Sequence, residues 1–204
     1  ADGSFADPSP PLHSEMAGGA GKGPGLAAYC LLAMVEAGRS AGNVDASVSY
    51  LAAAAESGFD SSAYVAAISA HALTTACVKA NKGCDAARKA RAKMMEMGTA
   101  DDEDQGTMRW GASSAAATAA AKAAVGGGGG GALRMMMGAG HGSSTEIEGT
   151  AYAVLALVRG GDLSSAYKGV RFLLLQRNAR GGFRSTQDTV VALEALGAYA
   201  GATY

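Results

Sequence analysis

Cysteine is scarce in this chain, and so are proline, histidine and tryptophan: 204 residues carry three Cys, four Pro, three His and one Trp. Three cysteines are too few for a small disulfide scaffold. Three histidines with no second His or Cys at ligand spacing exclude the usual zinc patterns, which need three or four ligands. No apolar run approaches the roughly 20 residues that cross a bilayer as a helix. An excess of either charge is also missing, with 17 basic and 18 acidic residues. A nucleic-acid surface needs a basic surplus to neutralise phosphates, so that class is set aside. The first residues, Ala1-Asp2-Gly3-Ser4-Phe5, show no initiator Met and no signal pattern, and read as a cut through a larger protein.

What the chain has in quantity is small and aliphatic residues in helical order. Four segments place an aromatic or β-branched residue ahead of small and aliphatic ones: Ala28 to Met34, Ala63 to Ile68, Ala151 to Leu157 and Val190 to Leu196. Tyr29 and Tyr64 lie about 35 residues apart, and Tyr152 and Val190 about 38, a period that points to repeated helical hairpins. These segments are apolar on most faces, as helices inside an assembly should be. Between them come one-sided helices: Val44, Val48, Leu51 and Ala55 recur at helical spacing, as do Leu163, Tyr167, Val170 and Leu174, and Ala87, Ala90, Met94 and Met97. The charges on these helices read as solvated faces. Gly38, Gly58, Gly98, Gly160-Gly161 and Gly201 follow the apolar runs where a left-handed residue would end a helix. Asp162 can cap the helix after it. Ser185-Thr186-Gln187-Asp188 has the form of a capping box, with Asp188 reaching back.

Alternating buried and one-sided helices predict an all-α, two-layered α/α array. About four hairpins are too few for a six-hairpin ring, so the expectation is an incomplete α/α toroid. Residues 101–144 interrupt the order with Asp101-Asp102-Glu103-Asp104, an alanine-rich stretch, glycines from Gly126 to Gly131, and Met135-Met136-Met137. A glycine run loses too much entropy on ordering to form a fixed element, which makes this span a low-complexity surface insertion.

Few residues carry chemistry. The glycine run lacks the preceding strand and the Gly-Lys-Ser/Thr ending of a phosphate cradle. The acidic tetrad lies in a polar loop, where carboxylates are solvated rather than fixed. His71 reads as a satisfied helix histidine and His141 as a surface one. Cys77 and Cys84 either close a local bridge or sit as separate buried thiols. His13 lies in Pro10-Pro11-Leu12-His13-Ser14-Glu15-Met16-Ala17-Gly18-Gly19, with two prolines restricting the approach. An imidazole on such a loop can act as nucleophile or base near neutral pH, although most loop histidines do neither.

Two stretches bring a family into view. Arg180-Gly181-Gly182-Phe183-Arg184-Ser185-Thr186-Gln187-Asp188-Thr189-Val190-Val191-Ala192-Leu193 resembles the Gly-Gly-Phe-Ser-Ser-Thr-Gln-Asp-Thr-Val-Val-Ala-Leu segment of alpha-macroglobulins. Thr145-Glu146-Ile147-Glu148, followed by Thr150-Ala151-Tyr152, looks like the acidic lead into the preceding helix of the same family. Asp2 to Phe5 and Leu12 to Gly19 resemble complement members of it. The resemblance runs in order over nearly the whole chain apart from the Gly-rich span. It implies that residues 1–204 are the C-terminal part of a thioester-containing domain of α/α toroid fold. The family's thioester joins the Cys and Gln of Gly-Cys-Gly-Glu-Gln, a motif that this sequence lacks. Cys30, Cys77 and Cys84 have other neighbours and are not assigned that role.

The resemblance also implies a function. Position 13 matches the family's catalytic histidine, so His13 is the expected acyl acceptor in a covalent tagging or trapping reaction. The parent would be opsonin-like or a broad-range endopeptidase inhibitor, acting once rather than turning over, and the fragment alone would be inactive. Its partners would be target proteins, cell-surface carbohydrate hydroxyls, proteases and other domains of the same parent chain. No cofactor or metal is expected. The setting would be extracellular, either secreted or anchored outside the cell. Two other readings remain beside it: a prenyltransferase or terpene-cyclase-like enzyme on the same architecture, and a non-catalytic helical interaction module.

Overall fold

The computed structural model describes residues 2–6, 21–38, 42–100, 106–111 and 142–204. His13, His141, the acidic tetrad, the Gly126–Gly131 run and Met135–Met137 lie outside them. Among the described residues the regular structure is helical except for one two-residue ribbon, with a short 3-10 turn at Phe59–Ser61. The helices are α1 (Gly23–Glu36), α2 (Gly42–Glu56), α3 (Ala63–Ala80), α4 (Cys84–Met97), α5 (Ser144–Arg159), α6 (Leu163–Leu175) and α7 (Thr186–Thr203). Strands β1 (Thr99–Ala100) and β2 (Met108–Arg109) pair antiparallel, with Thr99 opposite Arg109.

The helix ends follow from local chemistry. Pro24 occupies the first turn of α1, where its missing N–H costs nothing. Ser62 caps α3 by accepting from Val65 N at 3.3 Å. Asn81 ends the same helix in the left-handed conformation, φ 52°. Ser143 and Glu146 form a reciprocal capping box at the start of α5. Asp162 caps α6 through Ser165 N at 3.0 Å. Ser185 caps α7 by accepting from Asp188 N at 3.1 Å. The Asp188 carboxylate does not reach back, however. It accepts instead from Ser144 Oγ at 2.8 Å and so ties α7 to α5. Gly38, Gly58 and Gly161 are left-handed as expected of helix ends. Gly98 ends α4 with φ −68°, in extended backbone. Gly201 ends nothing, because α7 runs on to Thr203.

Packing sorts the helices into two layers. Helices α1, α3, α5 and α7 lie side by side in that order, each against the next. Helices α2, α4 and α6 cover them, with α2 against α1 and α4, α4 against α3, and α6 against α5 and α7. The core is centred on α3 and α5. In α5, every residue from Ile147 to Leu157 is buried. That is why it carries apolar residues all round rather than one stripe. The four equivalent positions of the repeat do not share a fate. Tyr64 and Tyr152 are buried in the middle of the row, whereas Tyr29 on α1 and Val190 on α7, at its ends, are exposed.

Part of the 101–144 span is buried in this fold: Thr107, Trp110 and Gly111 lie in the interior, while Gly106 is exposed. Trp110 is the largest fully buried side chain. Its Nε1 donates to Met94 O at 2.7 Å and its backbone N to Thr150 Oγ1 at 3.0 Å. Gly149 makes room for this strand: a Cβ there would stand 2.3 Å from Trp110 O. A lone tryptophan amid polar residues has no helical period to announce it, yet an indole gains far more by burial than any neighbour in that segment. The far boundary also moves, since Ser143 caps α5 and Ser144 is already helical.

Candidate functional site

Helices α3, α5 and α7 present their first turns side by side, and a polar cluster lies there. Glu148, nearly fully buried on α5, accepts at one oxygen from Tyr64 Oη of α3 at 2.8 Å and from Gln187 Nε2 of α7 at 2.7 Å. The Tyr152 hydroxyl shares a further hydrogen bond with this carboxyl. All these donors are neutral. Burial therefore raises the Glu148 pKa, the nearby Asp188 carboxylate adds to the rise, and the Tyr64 and Gln187 bonds oppose it. Tyr152 is raised too, first by its own burial and then by the Glu148 charge. The cluster continues inward. Tyr64 meets Tyr152 edge-on, with centroids 6.2 Å apart, and His71 stacks on Tyr152 at 5.8 Å.

His71 departs from its reading as a satisfied histidine. It is buried, and its Nδ1 has no hydrogen-bond partner among the described residues. Burial, with Arg159 nearby, pushes its pKa down to about 3, so it is neutral at physiological pH. Arg159 in turn faces Glu36 of α1 and Glu194 of α7, each at 3.7 Å, and bonds Thr75 of α3. One guanidinium thus touches the three other inner helices.

This arrangement links four helices through two polar hubs, Glu148 near one end and Arg159 near the other. A carboxyl with a raised pKa can move a proton. Here it is enclosed, and its hydrogen bonds link α5 to α3 and α7. Sequence reasoning passed over it, although a glutamate inside an otherwise buried, apolar helix is itself a signal, because an isolated buried charge is rarely tolerated without partners.

The other site residues stand as follows. Cys77, near the end of α3, and Cys84, at the start of α4, are joined by a disulfide. Cys30 is a free, half-buried thiol on α1. His13 is outside the described residues, so its surroundings are not part of the geometry. Just before it, Gly3 packs against α2 so closely that a Cβ would stand 2.1 Å from Ala46 O. Among the described residues no cluster of three His, Cys, Asp or Glu could hold a metal, and no helix is long and apolar enough to cross a membrane.

The array is two-layered and all-α among the described residues, with Glu148 of α5 and Gln187 of α7 joined across it. The model of the A-macroglobulin TED domain, the thioester-containing domain, matches residues 1–199, and the chain belongs to that family. Ovostatin of Gallus gallus is 48% identical over 69 residues, which is 31% of this chain and 5% of ovostatin. Complement C3 of Lethenteron camtschaticum is 47% identical over 57 residues, 28% of this chain and 3% of that protein. The matched stretches thus span a few per cent of the length of these relatives.

Proposed function

We propose that this chain is the C-terminal part of a thioester-containing domain whose parent couples covalently to targets by acyl transfer, with His13 as the catalytic residue. The observation that carries this reading is the family match over residues 1–199, which includes the Leu12–Gly19 segment. The inner row α1, α3, α5 and α7 is then an arc of an α/α toroid. The sulfur and the acyl group come from a Gly-Cys-Gly-Glu-Gln segment elsewhere in the parent, since Cys77 and Cys84 are bonded to each other and Cys30 has other neighbours.

The reaction proceeds in two transfers. A ring nitrogen of His13 attacks the thioester carbonyl; a C–N bond forms, the C–S bond breaks, and the cysteine leaves as thiolate. The thiolate then takes the proton of a target hydroxyl. The hydroxyl oxygen attacks the acyl-imidazole, a C–O bond forms, and the C–N bond to His13 breaks. The product is an ester to the target, with the thiol protonated and His13 restored. Because the acyl group stays on the target, each molecule acts once. The targets are protein or carbohydrate hydroxyls outside the cell. The opsonin-like role follows from ester chemistry at His13, and the protease-trapping role from the Gly181-Gly182-Phe183 segment.

The test replaces His13 by Asn in the full-length parent and compares incorporation of glycerol with that of methylamine after activation. The substitution should shift the preference from hydroxyl to amine. An unchanged ratio would remove His13 from the mechanism.

A further inference from the structure

The outer helices should meet water, and two of them do so conventionally. Among the large apolar side chains described as exposed, none lies on α2 or α4. Most of the cations on and beside them are paired: Lys82 with Asp45, Arg88 with Asp85, Lys89 with Glu56 and Lys93 with Glu96, while Arg91 bonds Thr74. Helix α6 differs on both counts. Tyr167, Leu174 and Leu175 are each half exposed, and Tyr167 lies against Tyr199 of α7. Lys168 and Arg171 fall on the same stripe by helical spacing. The stripe runs into the 176–185 turn, which adds Arg177, Arg180 and Arg184, all exposed.

From Leu163 to Gln187 the sequence holds these five cations and no carboxylate. Of the flanking acids, Asp162 caps α6 and feels the Lys168 charge, and Asp188 bonds Ser144. Arg171 has an interaction of its own. Among the described residues, however, no carboxylate lies within ion-pair distance of Lys168, Arg177, Arg180 or Arg184. Backbone carbonyls orient two of them without neutralising them: Arg177 donates to Gly181 O at 3.3 Å and Arg184 to Gly142 O at 3.1 Å. In a chain of net charge −1, this is a local concentration of positive charge with few paired acids among the described residues.

We infer that the exposed face of α6 and the 176–185 turn form a docking surface for an acidic, amphipathic protein segment. Charge complementarity selects the acidic partner and steers its approach. The half-exposed Leu174, Leu175 and Tyr167 select a protein over a sulfated glycan, because sulfate groups gain nothing from leucine whereas an apolar side chain does. This surface goes beyond the acyl transfer proposed above and does not depend on it, for it uses neither His13 nor a thioester.

The test uses the chain as it stands, at physiological ionic strength, with a labelled synthetic helical peptide bearing Glu on one face and Leu on the other. Anisotropy should report saturable binding. Polyglutamate, which matches the charge alone, should bind at least about tenfold more weakly. Lys168→Gln with Arg180→Gln, and separately Leu174→Ser with Leu175→Ser, should each weaken the peptide by about tenfold. These positions are exposed, and an unchanged circular-dichroism melt verifies the fold. On the unsubstituted chain, amide resonances of α6 and the 176–185 turn should shift on binding while those of α2 and α4 stay. Absence of binding, full affinity in the serine variant, or shifts confined to other helices would overturn the inference. So would heparin, or vesicles of phosphatidylserine and phosphatidylcholine, binding more tightly than the peptide, since either would make the face a glycan or lipid surface.

Discussion

His71 makes the fold sensitive to acid in a calculable way. Its folded-state pKa is pushed down to about 3 by burial against an ordinary value of 6.5. The unfolded chain therefore binds one more proton than the folded chain between those limits, and stability rises with pH across that window. This contribution is complete above pH 6.5 and is lost as pH falls toward 3. One proton over this interval costs about 2 kcal/mol by pH 5 and about 5 kcal/mol below pH 3. A domain with about 5–15 kcal/mol in all loses much of its stability on that account. Glu148 works with the opposite sign, because its raised pKa favours the folded state as pH falls. The two are separated by a variant. His71→Phe keeps a ring against Tyr152 and removes both the titration and the unpartnered Nδ1. Urea titrations followed by circular dichroism at pH 5, 6, 7 and 8 should give a variant whose stability declines less toward acid, with the difference from the parent growing by about 2 kcal/mol between pH 8 and 5. At pH 8 the variant should be at least as stable, since an unsatisfied buried nitrogen costs about 1–3 kcal/mol. Parallel pH profiles would refute the assignment of His71 as a buried neutral group.

Two further perturbations test the packing. Gly149→Ala would drive a methyl into Trp110 O and displace the strand that carries the buried indole, so it should cost about 1–3 kcal/mol or more and shift Trp110 emission to the red; an unchanged melt and spectrum would mean that residues 106–111 do not pack as described. Reducing the Cys77–Cys84 disulfide, or replacing both residues by Ser, releases only a short loop, sequence separation 7, and should cost about 2–3 kcal/mol in thermal unfolding; a loss of fold altogether would show that the bridge has a larger part in assembly.

Much of the layer order could be read from the residues, and the reason is geometric. A helix enclosed on all sides must be apolar all round, and one with a wet face must be striped. The segments at Ala63–Ile68 and Ala151–Leu157 against Val44–Ala55 show that contrast without any tertiary knowledge. Caps were legible where a side chain serves its own helix, as at Asp162 and Ser185. They were not legible where a side chain serves a neighbour: Asp188 has the right spacing to close a capping box but bonds Ser144 across the interface. Gly98 fails as a left-handed stop for a related reason. A Cβ there would stand 2.6 Å from Met108 and 2.9 Å from Trp110, so the glycine is there for close packing against β2. Trp110, Glu148 and His71 were missed or misread because their partners come from helices distant in the chain, which no local period encodes.

The repeat itself explains why exposure has two different origins on this molecule. A row of equivalent helices has interior members and end members, and the same residue type is buried in one and bare in the other. Tyr64 and Tyr152 are interior, and Tyr29 and Val190 are at the ends. Leu193, exposed beside Val190 on α7, belongs with the ends, and extending the row with one more helix would cover both. Leu174 and Leu175 are a separate case. Helix α6 belongs to the covering layer and lies on α5 and α7, with both leucines exposed. Among the described residues no carboxylate pairs with Lys168, Arg177, Arg180 or Arg184. The α6 face therefore suits the acidic, amphipathic partner inferred above, whose charge would complement it.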